Sequence, residues 1–171
     1  MKKFTLFREG NWYKGNLHTH TTVSDGTLSP KDTMERYKNN GYGFLAITDH
    51  MVYGYYPEYE TENFLSIPAA EVHTSKGGSG LHHLIAFGEP ESTKFRNGER
   101  LNQEFFNQMD TQELINYIGK QNNLVIYNHP YWSRDDISDI VNLKNIVGME
   151  IYNHNCETSW KCGNSEVFFD H

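Results

Sequence analysis

The chain is poor in the residues that would commit it to several large classes. Among 171 residues there are two cysteines, Cys156 and Cys162. Five residues separate them, which is not the tight zinc-knuckle spacing. Two free thiols in a reducing compartment are favoured over a short-loop disulfide. A basic tract is also missing: 15 Lys and Arg face 22 Asp and Glu, for a formal net charge of −7. Duplex nucleic acid is therefore disfavoured as a partner, because binding its backbone needs clustered cations. Some of the acidic excess is of the kind that bound cations would neutralise. No apolar run approaches the length of a membrane span, so no membrane association is expected. The opening Met1-Lys2-Lys3-Phe4-Thr5-Leu6-Phe7 starts like a leader but meets Arg8-Glu9-Gly10-Asn11 before an apolar stretch develops. It is read as mature sequence, which favours the cytoplasm.

What the chain does have is length for one compact domain and an aromatic-rich core. Hydrophobic residues make up 37% and aromatics 14%, so Tyr and Phe carry much of the burial. Strand candidates run Tyr13 to Thr19, Gly43 to Thr48, Phe64 to Val72, His83 to Phe87, Leu124 to Asn128 and Val147 to Tyr152. Between them, Ser29-Pro30-Lys31-Asp32 opens a helix to about Asn39, with Gly41 suited to its end. Asp110-Thr111-Gln112-Glu113 reads as a capping box for a helix through Ile118. A third helix is expected over Ser133 to Ile140, and a fourth from Asn164 to His171. Alternating strands and helices predict a mostly parallel α/β sheet whose functional residues collect at the C-terminal strand ends. Glu89 to Gln108 reads as a long excursion over the rim. With no repeat and no linker, residues 1–171 are expected to form a single domain.

The chemistry concentrates at those strand ends. In Asn16-Leu17-His18-Thr19-His20 two imidazoles stand two apart, on one side of a strand. Ser24-Asp25-Gly26 follows with a carboxylate. Thr48-Asp49-His50 and Pro68-Ala69-Ala70-Glu71 end further strands, His82-His83 begins another, and Asn128-His129-Pro130 closes a fourth. A lone strand-end histidine is usually a hydrogen-bonded structural residue. Here five of the nine histidines occupy such positions beside small, Asn or Asp neighbours. Imidazole and carboxylate ligands without thiolates suit Zn, Mn or Fe held for hydrolysis.

These ordered motifs resemble the PHP domain, the polymerase and histidinol phosphatase superfamily of metal-dependent hydrolases. The lead-in Trp12-Tyr13-Lys14-Gly15-Asn16-Leu17 resembles its carbaryl-hydrolase-like branch. The resemblance implies a distorted (β/α)7 barrel with two or three divalent ions at its mouth. His18, His20 and Glu71 would hold one ion. Glu71 would bridge to a second held by His83 and His129. Asp25 and His50 would belong to a third. A hydroxide activated by the cations would attack the substrate, with Glu71, His20 and His129 nearest the chemistry. The family's closing Asp-x-His pair has no counterpart, since Asp170 and His171 are adjacent. The barrel is therefore expected to lack its last strand. Such an open edge invites a second copy to cover it.

Other residues carry a functional and a plain reading. His73 is more simply a loop histidine than a contact of the metal shell. Alternation turns His82 away from His83, though the two could exchange roles. Asp49 is expected to orient a neighbour or cap a turn, and Glu150 either aims into the barrel or lies at its rim. His154 is read as a surface loop residue. Tyr131, Trp132 and Arg134 could line a substrate mouth or serve core and surface. Lys76-Gly77-Gly78-Ser79-Gly80 lacks phosphate-loop spacing and reads as a flexible turn. The function expected is hydrolysis of a small phosphorylated substrate. The alternatives are a carboxylic ester or carbamate hydrolase, an inactive metal-binding assembly module, and, least favoured, a proofreading accessory to a polymerase.

Overall fold

The computed structural model describes residues 10–78 and 80–170. The leader-like opening, Ser79 and His171 lie outside the described residues. In chain order the elements are β1 (Gly15–Asn16), α1 (Pro30–Asn39), β2 (Phe44–Ala46), β3 (Val52–Tyr53), β4 (Leu65–Ile67), β5 (Ala69–Thr74) and β6 (His82–Gly88). Then follow β7 (Glu99–Arg100), α2 (Gln103–Phe106), α3 (Thr111–Lys120), β8 (Asn123–Tyr127), α4 (Pro130–Ser133), α5 (Ile137–Ile140), β9 (Gly148–Met149), α6 (His154–Trp160) and α7 (Glu166–Phe169).

Helices form where the caps predict them. Ser29 accepts from the Asp32 amide at the start of α1, with Pro30 in its first turn. Asp110 and Glu113 complete a reciprocal capping box on α3. The third expected helix is split. Arg134 turns left-handed at φ 61 after α4, and Asp136 recaps the chain for α5. The strand expected over Phe64 to Val72 is interrupted at Pro68, which has no N–H to give a ladder.

Among the described residues the strands form three sheets, ordered β1-β2-β4, β3-β7 and β5-β6-β8-β9, and none closes into a barrel. The first sheet is parallel. A parallel bridge between His50 and Glu71 joins its β2 end to β5. The mostly parallel expectation is corrected at β6, which runs antiparallel to both β5 and β8. Only a short loop joins β5 to β6, and a short loop can return the chain only as a hairpin. The small β3-β7 ribbon falls partly in the excursion over Glu89 to Gln108 and was not expected.

Period-two alternation sorts the second sheet into two faces. Ala70, Val72, Leu84, Ala86, Val125 and Tyr127 pack outward with Leu114, Ile115 and Ile118 of α3. Facing inward are Ala69, Ile85 and Phe87, packed with Ala46 of β2. Glu71, paired in register with Ile85, and the paired His73 and His83 continue that inner face. On the other sheet, α1 packs Met34 against Leu45, Ile47 and Phe64. The inner face is thus apolar at one end and becomes imidazole and carboxylate at the other.

A candidate metal centre

Local hydrogen bonds hold the His18–His20 segment before any ligand is considered. Asn16 accepts from the His18 amide at 3.1 Å and donates to Thr19 Oγ1 and Tyr37 Oη. The Thr48 amide donates to Thr19 O at 2.7 Å, tying the segment to the end of β2. Buried Asp49 accepts from the Thr21 amide, the Thr21 hydroxyl and the Ser24 hydroxyl at 2.7, 2.6 and 2.7 Å. Asp49 thereby fixes the turn that carries Asp25, as expected of a residue that caps a turn. Gly26 is required by close approach, because a Cβ there would lie 2.3 Å from the His20 carbonyl oxygen.

Glu71 is the hub. It is 1% exposed, and five imidazoles reach its carboxylate. His18 Nε2, His83 Nδ1 and His129 Nε2 stand 3.4, 3.1 and 3.1 Å from Oε1. His20 Nε2 and His50 Nδ1 stand 3.1 and 3.2 Å from Oε2. Asn128 Nδ2 donates to Oε1 at 2.8 Å. Asp25 takes the outer side of the set, with its carboxylate 2.6 Å from His20 Nδ1 and 3.7 Å from His50 Nε2. All seven expected ligands line one cavity of about 790 Å³.

Glu150 joins them from across the sheet opening. β1 and β9 are outer strands of their sheets. Beyond each, His18 Nδ1 and Glu150 Oε1 meet at 3.0 Å. The other Glu150 oxygen accepts from the His129 amide at 3.2 Å, and Asn153 Nδ2 donates to both. His129 itself sits at φ 22, in the sparsely populated left-handed region. One carboxylate thus orients two histidines that are remote in sequence. Of the two readings open to Glu150, the inward one is found.

The charges follow from this geometry. Burial opposes protonation of His18, but the charge of Glu71 and the hydrogen bonds that His18 donates to Glu150 and Glu71 outweigh it and raise its pKa to about 10. Burial likewise opposes ionisation of Glu71, yet the surrounding imidazoles hold its carboxyl well below the usual range. His50 goes the other way, lowered by burial and by the His20 and His83 rings despite the pull of Glu71. Cys156, on the same cavity wall, has its thiol pushed up to about 12, first by burial.

The donor set can hold divalent cations. Ligand atoms gather within 4.8 Å of one another in four groups: His18, His20 and Glu71; His20, Asp25 and His50; His50, Glu71 and His83; and His18, His129 and Glu150. Glu71 Oε2, His50 Nδ1 and His83 Nε2 are buried without a hydrogen-bond partner. Converging imidazole and carboxylate atoms that lack a hydrogen-bond partner are what cations would satisfy. His18, His20 and Glu71 lie together, and Asp25 and His50 lie together with His20. Glu71 and His83 group with His50, while His129 lies 3.1 Å from Glu71 and groups with His18 and Glu150.

The remaining histidines separate cleanly. His82 faces outward, within hydrogen-bond reach of Tyr127 Oη and 3.3 Å from Asp135, as alternation requires. His73 stacks on His83 with centroids 5.1 Å apart. His154 is exposed, but it opens α6, an element not anticipated, and stands on the cavity rim. Trp132 packs edge-on against His83 and His129 and lines the cavity, whereas Tyr131 and Arg134 are exposed. Cys156 and Cys162 are free thiols. Asn128 and Asn153 were not singled out in the sequence. The signal for Asn128 was its place beside His129, since an amide can satisfy a carboxylate oxygen that a cation leaves free.

The family model of the PHP domain matches residues 16–161, and the chain belongs to that family. Over 84 residues it is 38% identical to the 5'-3' exoribonuclease Rnm of Salmonella typhimurium, covering 49% of this chain and 24% of that enzyme. Over 40 residues it is 48% identical to the DNA polymerase/3'-5' exonuclease PolX of Bacillus subtilis, covering 23% of this chain and 7% of that enzyme. The chain therefore spans a quarter or less of these relatives. Its fold is similar to that of a candidate metal-dependent phosphoesterase from Bifidobacterium adolescentis, with TM-score 0.64 at 14% identity over 92% of this chain and 81% of the other. Among the described residues no helix is long and apolar enough to cross a membrane.

Proposed function

We propose that this chain is a metal-dependent hydrolase of phosphoesters, with a centre of two or three divalent ions built around Glu71. The carrying observation is one buried carboxylate within 3.4 Å of five imidazoles. Ions bound there would supply Lewis acidity toward a phosphoryl oxygen and ease deprotonation of a water. His18, His20, His50, His83, His129 and Asp25 would hold them. Asn128 steadies Glu71 through its amide, and Asp49 keeps the Asp25 turn in place. Glu150, by accepting from His18 Nδ1, would turn Nε2 into the site as a lone pair. Trp132 covers His83 and His129 and limits water on that side.

The names of the curated relatives, both nucleases, and of the structural neighbour support a phosphoester over a carboxylic ester or carbamate. The lead-in that suggested a carbamate contributes Trp12 at 81% exposure and Tyr13 at 69%. The test is a panel of phosphomonoesters, phosphodiesters, carboxylic esters and carbamates, assayed with Mn or Zn after chelation. Metal-restored cleavage confined to phosphoesters is expected. Cleavage only of esters or carbamates, or metal uptake without any turnover, contradicts the proposal.

A further inference from the structure

Behind the metal centre, on the outward face of the same strands, lies a second cluster of buried ionisable groups. His82 of β6, Tyr127 of β8 and Asp135, which follows α4, are all buried, and the side chains of His82 and Asp135 expose no surface. Tyr127 Oη donates to Asp135 Oδ2 at 2.9 Å. His82 Nδ1 stands 3.3 Å from Asp135 Oδ1 and within reach of Tyr127 Oη. Two atoms of the cluster, His82 Nε2 and Asp135 Oδ1, lack a hydrogen bond. Gly78 and Gly80 roof them so closely that a Cβ on either would overlap them, which leaves no room for an ion. A carboxylate buried in this way is costly, and a well-packed apolar set of similar volume often holds a core as well or better. Stability alone therefore does not account for the cluster.

Its connections do. His82 is the neighbour of His83, and Tyr127 lies two residues before His129. The Asn128 amide donates to the His83 carbonyl at 3.0 Å, tying the two strand ends together. Asp135 reaches His129 through α4: the Ser133 amide donates to His129 O and the Asp135 amide to Pro130 O, each at 3.1 Å. This single turn of helix lies between two left-handed residues, His129 at φ 22 and Arg134 at φ 61. Backbone held in such regions persists only where the surroundings over-determine it, and Asp135 is the anchor at the far end of the turn. We infer that Asp135, with His82 and Tyr127, is a clamp that positions His83 and His129 beside Glu71 Oε1, where each ring stands 3.1 Å away. The inference rests on the metal-centre reading and deepens it. No member of the clamp touches an ion or the substrate; it fixes where two ligand rings stand. His20, Asp25 and His50 belong to other segments of the chain and are outside its reach.

The test titrates the full chain with Mn or Zn by calorimetry and locates the ions by anomalous diffraction. Asp135→Ala is expected to weaken one ion by about 10- to 100-fold, the range for losing a residue that supports a ligand. The anomalous peak nearest His83 and His129 should fade while the peak nearest His20 and Asp25 persists. Asp135→Asn keeps the volume and an acceptor for Tyr127, so it should recover most of the loss. Tyr127→Phe removes only a hydroxyl and should show the same selectivity to a smaller degree, which keeps the test open should Asp135→Ala fail to fold. Ile118→Val, in the α3 core on the same sheet face, should lower the melting temperature without changing either affinity. Unchanged affinity in both Asp135→Ala and Tyr127→Phe, equal weakening of every ion, or an equal loss in Ile118→Val overturns the clamp and leaves the metal centre standing. A wild-type protein that takes up no metal overturns both.

Discussion

Replacing Glu71 with Gln removes one charge and almost no volume, so it isolates the electrostatics of the centre. Two consequences follow. In the metal-free protein, His18 holds its proton because of Glu71 and Glu150, with a pKa of about 10. Near neutral pH that is about three units, or at most about 4 kcal/mol if Glu71 accounted for all of it. His18 can instead deprotonate, so the variant need not keep an unpaired buried charge, and it should fold with a lowered melting temperature. In the metal-loaded protein the loss is larger in kind. Glu71 belongs to two of the four ligand groups, so one substitution weakens more than one ion. Affinity should fall by more than the roughly 10- to 100-fold typical of losing a residue that only supports a ligand. The assay is metal titration by calorimetry with elemental analysis of dialysed protein, beside thermal melts with and without metal. A Glu71→Gln variant that retains wild-type stoichiometry and affinity would refute the reasoning.

The pH dependence of the metal-free protein has a defined sign. The raised His18 pKa adds stability that is present below about 6.5 and lost as pH rises through about 10. His73, whose pKa burial and the neighbouring His83 lower to about 4, subtracts stability as pH falls below about 6.5. Melting temperature in chelator should therefore peak near pH 6.5 and decline on either side, and a value still rising toward pH 10 contradicts the His18 assignment. Glu150→Gln weakens the orienting contacts to His18 and the His129 amide. Metal affinity should drop about 10- to 100-fold with fold retained by circular dichroism, and an unchanged affinity would leave Glu150 a bystander.

The ligand residues were readable because strand geometry is periodic. His83, one residue from the outward His82, needs only the alternation of β6 to be placed, whereas His18 and His20 follow the two-residue β1 and are held by the contacts of Asn16 and Thr19 instead. Glu71 was readable from its position after a short apolar run. The centre's supporting contacts were less visible, since they join remote segments: Glu150 lies 132 residues from His18. The segments expected as β1 and β9, seven and six residues long, carry only two residues of ladder each. These strands sit at sheet edges, where one flank has no partner to extend the pairing. The antiparallel β6 escaped notice because its preceding turn, around Gly77 and Gly78, is short enough to be a hairpin yet lacks a two-residue hairpin signature. The β3-β7 ribbon is held by two residue pairs, too few to leave a pattern in the sequence.

The central claim is that His18, His20, Glu71 and their neighbours converge because they share cations. Crystals grown with Mn or Zn, with diffraction recorded on both sides of the metal's absorption edge, test it most directly. The account predicts anomalous peaks within coordination distance of a Glu71 oxygen, at least one of them also touching His18 and His20. A metal-soaked crystal with Glu71 ordered, all five imidazoles in place and no anomalous density beside them would contradict it.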